Sequence, residues 1–497
     1  MRRSPLLIIA VLGCGGHTPA PAPAPAPEIR SEPHTVAPAA KVDVTPAPAP
    51  APPTPPAPMP VAWMRAASGN NYLEAVAIRP DGSIVAGASD DGSGWLAKPW
   101  RKSSASGAVV ALDASGKTLW VRPTGSAEIR AVQALADGGV IACGDFDKKL
   151  IVDGKSLATA NGARHLVVLA LDGAGKIRWT FATGGKGSGS CRDIAVMPDG
   201  KLAIVGSISG EAMFGELPAH AIGDADMFVA VLDATGHSQW VGVAGGTESD
   251  TAASVAIAGS AIYVTGDYGG DATFGTHGLK LARGAGQHVA NPSNIFVARY
   301  TAATGELEWV TAFGVANSFD RAWAITALSD GGSAVIGQVG DRGFVARYDV
   351  AGNQMWVRKT AQQAAPRAIL ALPNDELLVA AYFGWPQAGH DVTFRGTTRE
   401  ITLTAGGSDS ALVRFSATGE LVTAGRLAGA TPHSYDERNG SELEMFHLAR
   451  GANGRIVAAG RLWGSGKIEG GDLLAPSQLT ASVPDRGGVV AAIDPAP

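Results

Sequence analysis

Charged side chains recur at one kind of position along this chain. Glu74, Arg130, Arg192 with Asp193, Asp250, Asp320 with Arg321, Arg367 and Glu442 each stand just ahead of an apolar run, and the groups follow one another at intervals of 47 to 75 residues. Carboxylates and guanidiniums brought to one place have two uses. They can hold a charged ligand through charge-assisted hydrogen bonds, or move a proton as general acid and base. The plainer account of the same residues is that loops leading into apolar runs are wet and therefore polar.

Other chemistries lack their usual patterns. The ten histidines form no HExxH or HxH, and no Cys/His cluster has metal-ligand spacing. His165, His220, His237 and His288 fall in turns or loops. His447, in "MFHLA", sits in an apolar run, where it can face a channel or rest at the core edge. There is no GxSxG elbow and no P-loop. The run "GGKGSGS" at 184–190 has no helix after it, so it lacks the helix N-terminus that a phosphate cradle uses. Asp90 with Asp91, Asp145 with Asp147, and Asp224 with Asp226 offer oxygens of the kind calcium takes. None fits a spaced calcium-ligand ladder, and turn capping explains them. No catalytic residue, cofactor or metal ligand set follows.

The elements that must position the charged groups are copies of one unit. "VVALDASGKTLW" ends at Trp120, "VLALDGAGKIRW" at Trp179, "FVAVLDATGHSQW" at Trp240, "FVARYTAATGELEW" at Trp309 and "FVARYDVAGNQMW" at Trp356; "ALVRFSATGELV" ends at Val422. With Trp63 these mark intervals of 57, 59, 61, 69, 47 and 66 residues. Internal repeats of this length point to arrays or propellers. Each unit contains four apolar runs. In the third, "RDIAVMPDG" and "KLAIVGSI" form a hairpin through a Pro-Asp-Gly turn, and "MFVAVLDATGHSQWVGVAGG" forms a second through Asp-Ala-Thr-Gly. The runs are continuously apolar rather than alternating, which marks sheets covered on both faces.

Four-stranded sheets repeated about every 60 residues, each covering its neighbours, describe an all-β fold, a β-propeller. Seven blades are expected. The last unit lacks a Trp-bearing strand and the first begins with a spare one near Trp63, so the ring closes in a 3+1 arrangement without an open sheet edge. The charged groups would then gather at one mouth of the central channel. Inserts at 90–106, 269–294 and 385–409 lie between the second and third strands of their units and offer variable surface.

Residues 61–497 form this domain. Ahead of it, residues 1–14 read as a secretory leader and 15–60 as a disordered Pro/Ala-rich linker. The linker would run as extended polyproline II and reach roughly 130 Å. Net charge is −5, which offers no basic footprint for nucleic acid. Cys143 and Cys191 are left open: a disulfide in an oxidising compartment, or two small buried thiols.

Three resemblances follow from these residues. Val11-Leu12-Gly13-Cys14 resembles the bacterial lipoprotein lipobox, which implies lipidation of Cys14 and, with Gly15 next, an outer-membrane location; a plainly secreted protein is the alternative. The pattern hxAVAI-PDG-xIVAG…FVAxxDxxGxxxW resembles the bacterial SBBP-type propeller repeat of secreted and surface proteins, a family with no single activity. "ALDASGKTLW" is similar to the pyrroloquinoline-quinone-type propeller repeat, whose members include quinone dehydrogenases and a lipoprotein scaffold of outer-membrane assembly. Those dehydrogenases carry adjacent cysteines, which this chain lacks. Together they imply a monomeric, envelope-anchored binding module for an envelope or extracellular protein or a glycan. The alternatives are a polysaccharide hydrolase or lyase at the channel mouth and an assembly scaffold.

Overall fold

Val, Ile, Phe and Ala runs set off by Asp-x-x-Gly and Asp-Gly turns pair into antiparallel sheets. The computed structural model describes residues 56–68, 72–89, 95, 107–147, 149–152, 155–159, 163–282, 291–384, 391–406, 408–429, 442–477 and 479–496. The leader with Cys14, almost all of the Pro/Ala segment, and Asp90 with Asp91 lie outside the described residues.

Strand pairing groups the described chain into seven four-stranded units. From the innermost strand outward, the first is Leu73–Ile78, Ile84–Ala88, Ala108–Leu112 and Thr118–Pro123. The second is Ala127–Ala134, Val140–Phe146, His165–Leu171 and Ile177–Ala182; the third is Ser188–Val196, Leu202–Ser209, Asp226–Leu232 and Ser238–Gly246. The fourth is Asp250–Ala258, Ala261–Gly269, Ser293–Thr301 and Leu307–Phe313; the fifth is Arg321–Ala327, Ser333–Val339, Arg342–Tyr348 and Gln354–Lys359. The sixth is Ala365–Ala371, Leu377–Phe383, Asp409–Phe415 and Leu421–Gly429. The seventh takes Glu442–Arg450, Ile456–Gly471 and Thr480–Ile493 from the end of the chain and Val61–Ser68 from its beginning, with Arg65 opposite Val490. Each innermost strand touches the next, and the seventh touches the first. The ring is closed, and the fold is a β-propeller.

Several middle strands are dry throughout: every residue of Val140–Phe146, His165–Leu171 and Asp226–Leu232 is buried. One hydrophobic cluster fills each junction between neighbouring units. Ile129, Val109 and Val167 pack between the first and second, for example, and Val457, Val490 and Ile84 between the seventh and first. The sheets therefore cannot stay dry one at a time.

The repeated phrase is the clasp of each junction. The indole Nε1 of Trp63, Trp120, Trp179, Trp240, Trp309 and Trp356 donates to a carbonyl in the outer hairpin turn of the next unit: Ala114, Gly173, Ala234, Ala302, Val350 and Ala417, at 2.9 to 3.1 Å. The glycine of that turn has positive φ, 90° at Gly236, and a Cβ there would meet the Trp179 ring at 2.8 Å. The Asp of the turn gathers the amides beneath it, as Asp233 does for Thr235 at 2.9 Å and His237 at 3.0 Å. Arg122 and Arg358, two residues past their tryptophans, donate to the carbonyls of turn residues Gly175 and Gly419 at 2.7 and 2.9 Å. Where the chain ends stand in for a hairpin turn, in the seventh unit, the preceding strand carries Thr423, opposite Arg414, at the Trp position, one residue past the Val422 expected from the sequence. That junction is bridged by main-chain pairing of Leu421–Gly429 with residues 466–471.

Cys143 of the second unit and Cys191 of the third, with Cα atoms 6.2 Å apart, are joined as a disulfide. This tie between neighbouring units follows the first of the two readings left open for the cysteines.

The clasp makes a specific prediction. Gly138 and Gly236 both have positive φ, but nothing lies within 4 Å of a Cβ at Gly138. Gly138→Ala should cost about 1 kcal/mol for the left-handed backbone alone. Gly236→Ala should cost about 3 kcal/mol, because the methyl also displaces Trp179. Equal losses in chemical denaturation would show that the ring does not bear on the turn.

Candidate functional site at the channel mouth

One irregularity is common to all seven innermost strands. Each slips register against its neighbour at a β-bulge, and the extra residues are Glu74, Arg130, Arg192, Ala253, Trp323, Arg367 and Phe446. A bulge leaves its extra residue out of the ladder and re-aims the side chain. All seven line a single cavity of about 390 Å³ at one mouth of the channel, together with Tyr72, His447 and Arg461. The next residues along, among them Asp193, Ser254 and His447, line the bore, a cavity of about 430 Å³.

The structure brings Glu74, Arg130, Arg192 and Arg367 together at this mouth and sets Asp193 one layer below them. Asp193 accepts from Ser254 Oγ at 2.7 Å and from the Val255 and Ile194 amides at 3.0 and 2.8 Å. Burial pushes its carboxyl up to about 6 against those bonds. Asp193 is half-buried and lines the bore, with protein close around its carboxyl. Arg321 lines a side pocket of about 210 Å³ with Arg192, Asp267 and Trp323. Glu442 lies half-buried four residues before the Phe446 bulge.

Asp250 and Asp320 are elsewhere. Both are fully buried. Asp250 accepts from the Gly246 and Gly269 amides at 2.7 and 3.0 Å, and Asp320 from Val315 and Gly340 at 2.7 and 2.8 Å. They stand too early in their strands to reach the mouth, and they satisfy loop amides that would otherwise be orphaned. Burial, with Asp226 facing it, raises the Asp250 carboxyl. The acid pairs considered for calcium include the same type of clamp: Asp145 accepts from Cys191 N at 2.7 Å, and Asp226 from the Ile222 and Gly223 amides at 2.5 and 2.9 Å. Among the described residues, no group of three or more His, Cys, Asp or Glu is placed to hold a metal ion.

Sequence reasoning missed Trp323, Phe446, Ala253, Arg461 and Tyr72. A usable signal was present: the bulge residue precedes a small or polar residue and then an aliphatic one, as in Trp323-Ala324-Ile325 and Phe446-His447-Leu448. Selecting by charge hid the aromatic and alanine members.

The guanidiniums are held in two ways. Arg130 bonds Glu128 at 2.7 Å with Glu74 at 3.7 Å, and Arg461 bonds Glu444 at 2.7 Å. Arg367 instead lies over Trp323 at 3.8 Å and Tyr382 at 5.3 Å, and Arg321 over Phe319 at 4.2 Å. Burial, opposed by Asp145 and Asp267, lowers the pKa of Arg192. Burial, helped by Arg367, pushes His447 down to about 4, so its imidazole is neutral. The arrangement presents N–H donors and aromatic surface to whatever enters.

No protein-family model matches the chain, and no curated protein matches it. Solved structures with a similar fold include quinohemoprotein alcohol dehydrogenase from Comamonas testosteroni, at 14% identity over 88% of this chain and 76% of that one, with a TM-score of 0.45. Sqt1 from Chaetomium thermophilum is similar at 12% identity over 89% and 100% of the two chains, TM-score 0.45, and the Dos1 propeller at 8% over 84% and 77%, TM-score 0.41. At such identities the likeness concerns the fold alone.

Asp267 supplies a pH test. Burial raises its carboxyl to about 6, against Arg321 and Arg192. The folded value lies above the unfolded one of about 3.9. Its contribution to stability is therefore complete below about pH 4 and is lost as pH rises through about 6. Asp267→Asn should raise the thermal midpoint by about 2 °C near pH 8 and leave it unchanged near pH 4. A shift of the same size at both pH values would refute the assignment.

Proposed function

We propose that the propeller is the non-enzymatic binding module of an envelope lipoprotein, anchored through Cys14, carried on the Pro/Ala segment and acting as a monomer. Its partner is an envelope or extracellular protein or glycan, taken at the channel mouth. One observation carries this reading: seven bulges, one from each unit, deliver their side chains to the same cavity. Ordinary wet loops would not require a bulge at the same level of every strand. The lipobox and the likeness of the repeat to the SBBP type support the compartment.

The test is capture of partners from envelope extracts with the full chain in detergent. Wild type should retain a partner that an Arg192→Ala, Arg367→Ala double variant loses. Retention by both, or by neither, would defeat the reading. Cys14→Ser should move the protein from the membrane fraction to the soluble one.

One observation favours a second reading, a lyase acting on acidic polysaccharide. His447 lines the mouth cavity with Arg192 and Arg367, which sets an imidazole that can accept a proton beside guanidiniums that could hold a carboxylate. Turnover of an acidic glycan that His447→Ala abolishes would select it.

A further inference from the structure

Four guanidiniums line the mouth cavity: those of Arg130, Arg192, Arg367 and Arg461. One carboxylate, Glu74, shares that lining. Arg130 and Arg461 already have carboxylate partners. Among the described residues, Arg192 and Arg367 have no carboxylate within ion-pair distance; Asp145 and Asp267 act on Arg192 and Glu444 on Arg367 from farther away. Stacking on Trp323 uses the flat face of Arg367 and leaves its N–H edge for acceptors, of which the Tyr382 hydroxyl takes one bond. Its Nε is buried and has no acceptor among the described residues. Arg192 stands next to Ala253, the smallest member of the belt, which leaves room beside it. The two arginines are three places apart in a seven-membered ring, and therefore nearly across the cavity from one another.

Building on the reading of the mouth as a binding site, we infer that the group it recognises is an oxyanion, a carboxylate or phosphate, gripped between Arg192 and Arg367. Arg130 and Arg461 are spoken for by Glu128, Glu74 and Glu444 and act as walls. Trp323 and Phe446 hold guanidiniums in place and close the sides. A cationic ligand would face two guanidiniums that have no carboxylate partner, and would leave donors of Arg192 without an acceptor, at the cost of an unsatisfied donor.

Calorimetric titration of the full chain in detergent tests this with four probes: succinate, inorganic phosphate, trigalacturonate and neutral maltotriose. At least one anion should bind, more weakly as salt rises, while maltotriose does not. Arg192→Gln and Arg367→Gln should each weaken that anion about tenfold. Arg342→Gln, which alters an exposed arginine paired with Asp341 at 3.0 Å, should not. Tighter phosphate than succinate assigns a phosphate-bearing ligand; the reverse, or preference for trigalacturonate, assigns a carboxylate. Thermal melts of Arg192→Gln should match wild type, since Arg192 makes no ion pair among the described residues. Failure of every anion, or unchanged binding in Arg192→Gln, overturns the inference. If capture from envelope extracts still depends on the mouth while anions fail, only the ligand class is wrong; if capture fails too, the binding-module reading falls with it.

Discussion

Everything in this fold depends on the junction between one sheet and the next. A four-stranded sheet of this composition has two apolar faces and cannot cover either by itself. The tryptophan clasp sets how neighbours meet. An indole ring on the outer strand lies flat on a glycine of the next hairpin turn and donates its N–H to that turn. Each such bond is worth about 1 kcal/mol net, and the ring adds packing. The clasp also fixes the angle and height of the next sheet, which no amount of nonspecific apolar contact would do. Its absence is equally informative. Thr423 stands where the next unit has chain ends in place of a turn, so a tryptophan there would have had nothing to clasp.

The channel mouth inherits its precision from those junctions. Seven bulges sit at one level because seven sheets are held at one height. Their side chains come from positions 44 to 79 residues apart in sequence, yet they line one cavity. The disulfide between Cys143 and Cys191 ties two of the contributing sheets, those that carry Arg130 and Arg192. Cation–π contacts then orient individual guanidiniums without consuming their in-plane donors. Rigidity of the ring and freedom of the donors are therefore arranged by different residues.

Buried carboxylates do a third task. Asp145, Asp250, Asp320 and Asp409 close loops at the strand ends by accepting backbone amides, and Asp409 also bonds Arg426 at 2.8 Å. Burial raises the carboxyls of Asp145, Asp250 and Asp409, so these clamps work against their own desolvation. In sequence they look like the charged residues of the mouth. Only the count along the strand, which the bulge shifts by one, separates a clamp from a ligand-facing side chain.

The sequence by itself determined what depends on near neighbours. Apolar runs, Asp-x-x-Gly turns and the tryptophan period announce strands, hairpins and a repeating unit, and the misplaced strand near Trp63 announces ring closure. These are legible because hydrophobic pattern and turn chemistry act over a few residues. Glu74, Arg130, Arg192 and Arg367 were legible as a site for the same reason: each stands beside its own strand. Tertiary structure alone decided that Trp323 and Phe446 join them, that Asp250 and Asp320 do not, that the two cysteines meet, and that two of four arginines have no carboxylate partner among the described residues. Those outcomes turn on register across strands and on contacts between units about sixty residues apart, and neither quantity is written in any local stretch of the chain.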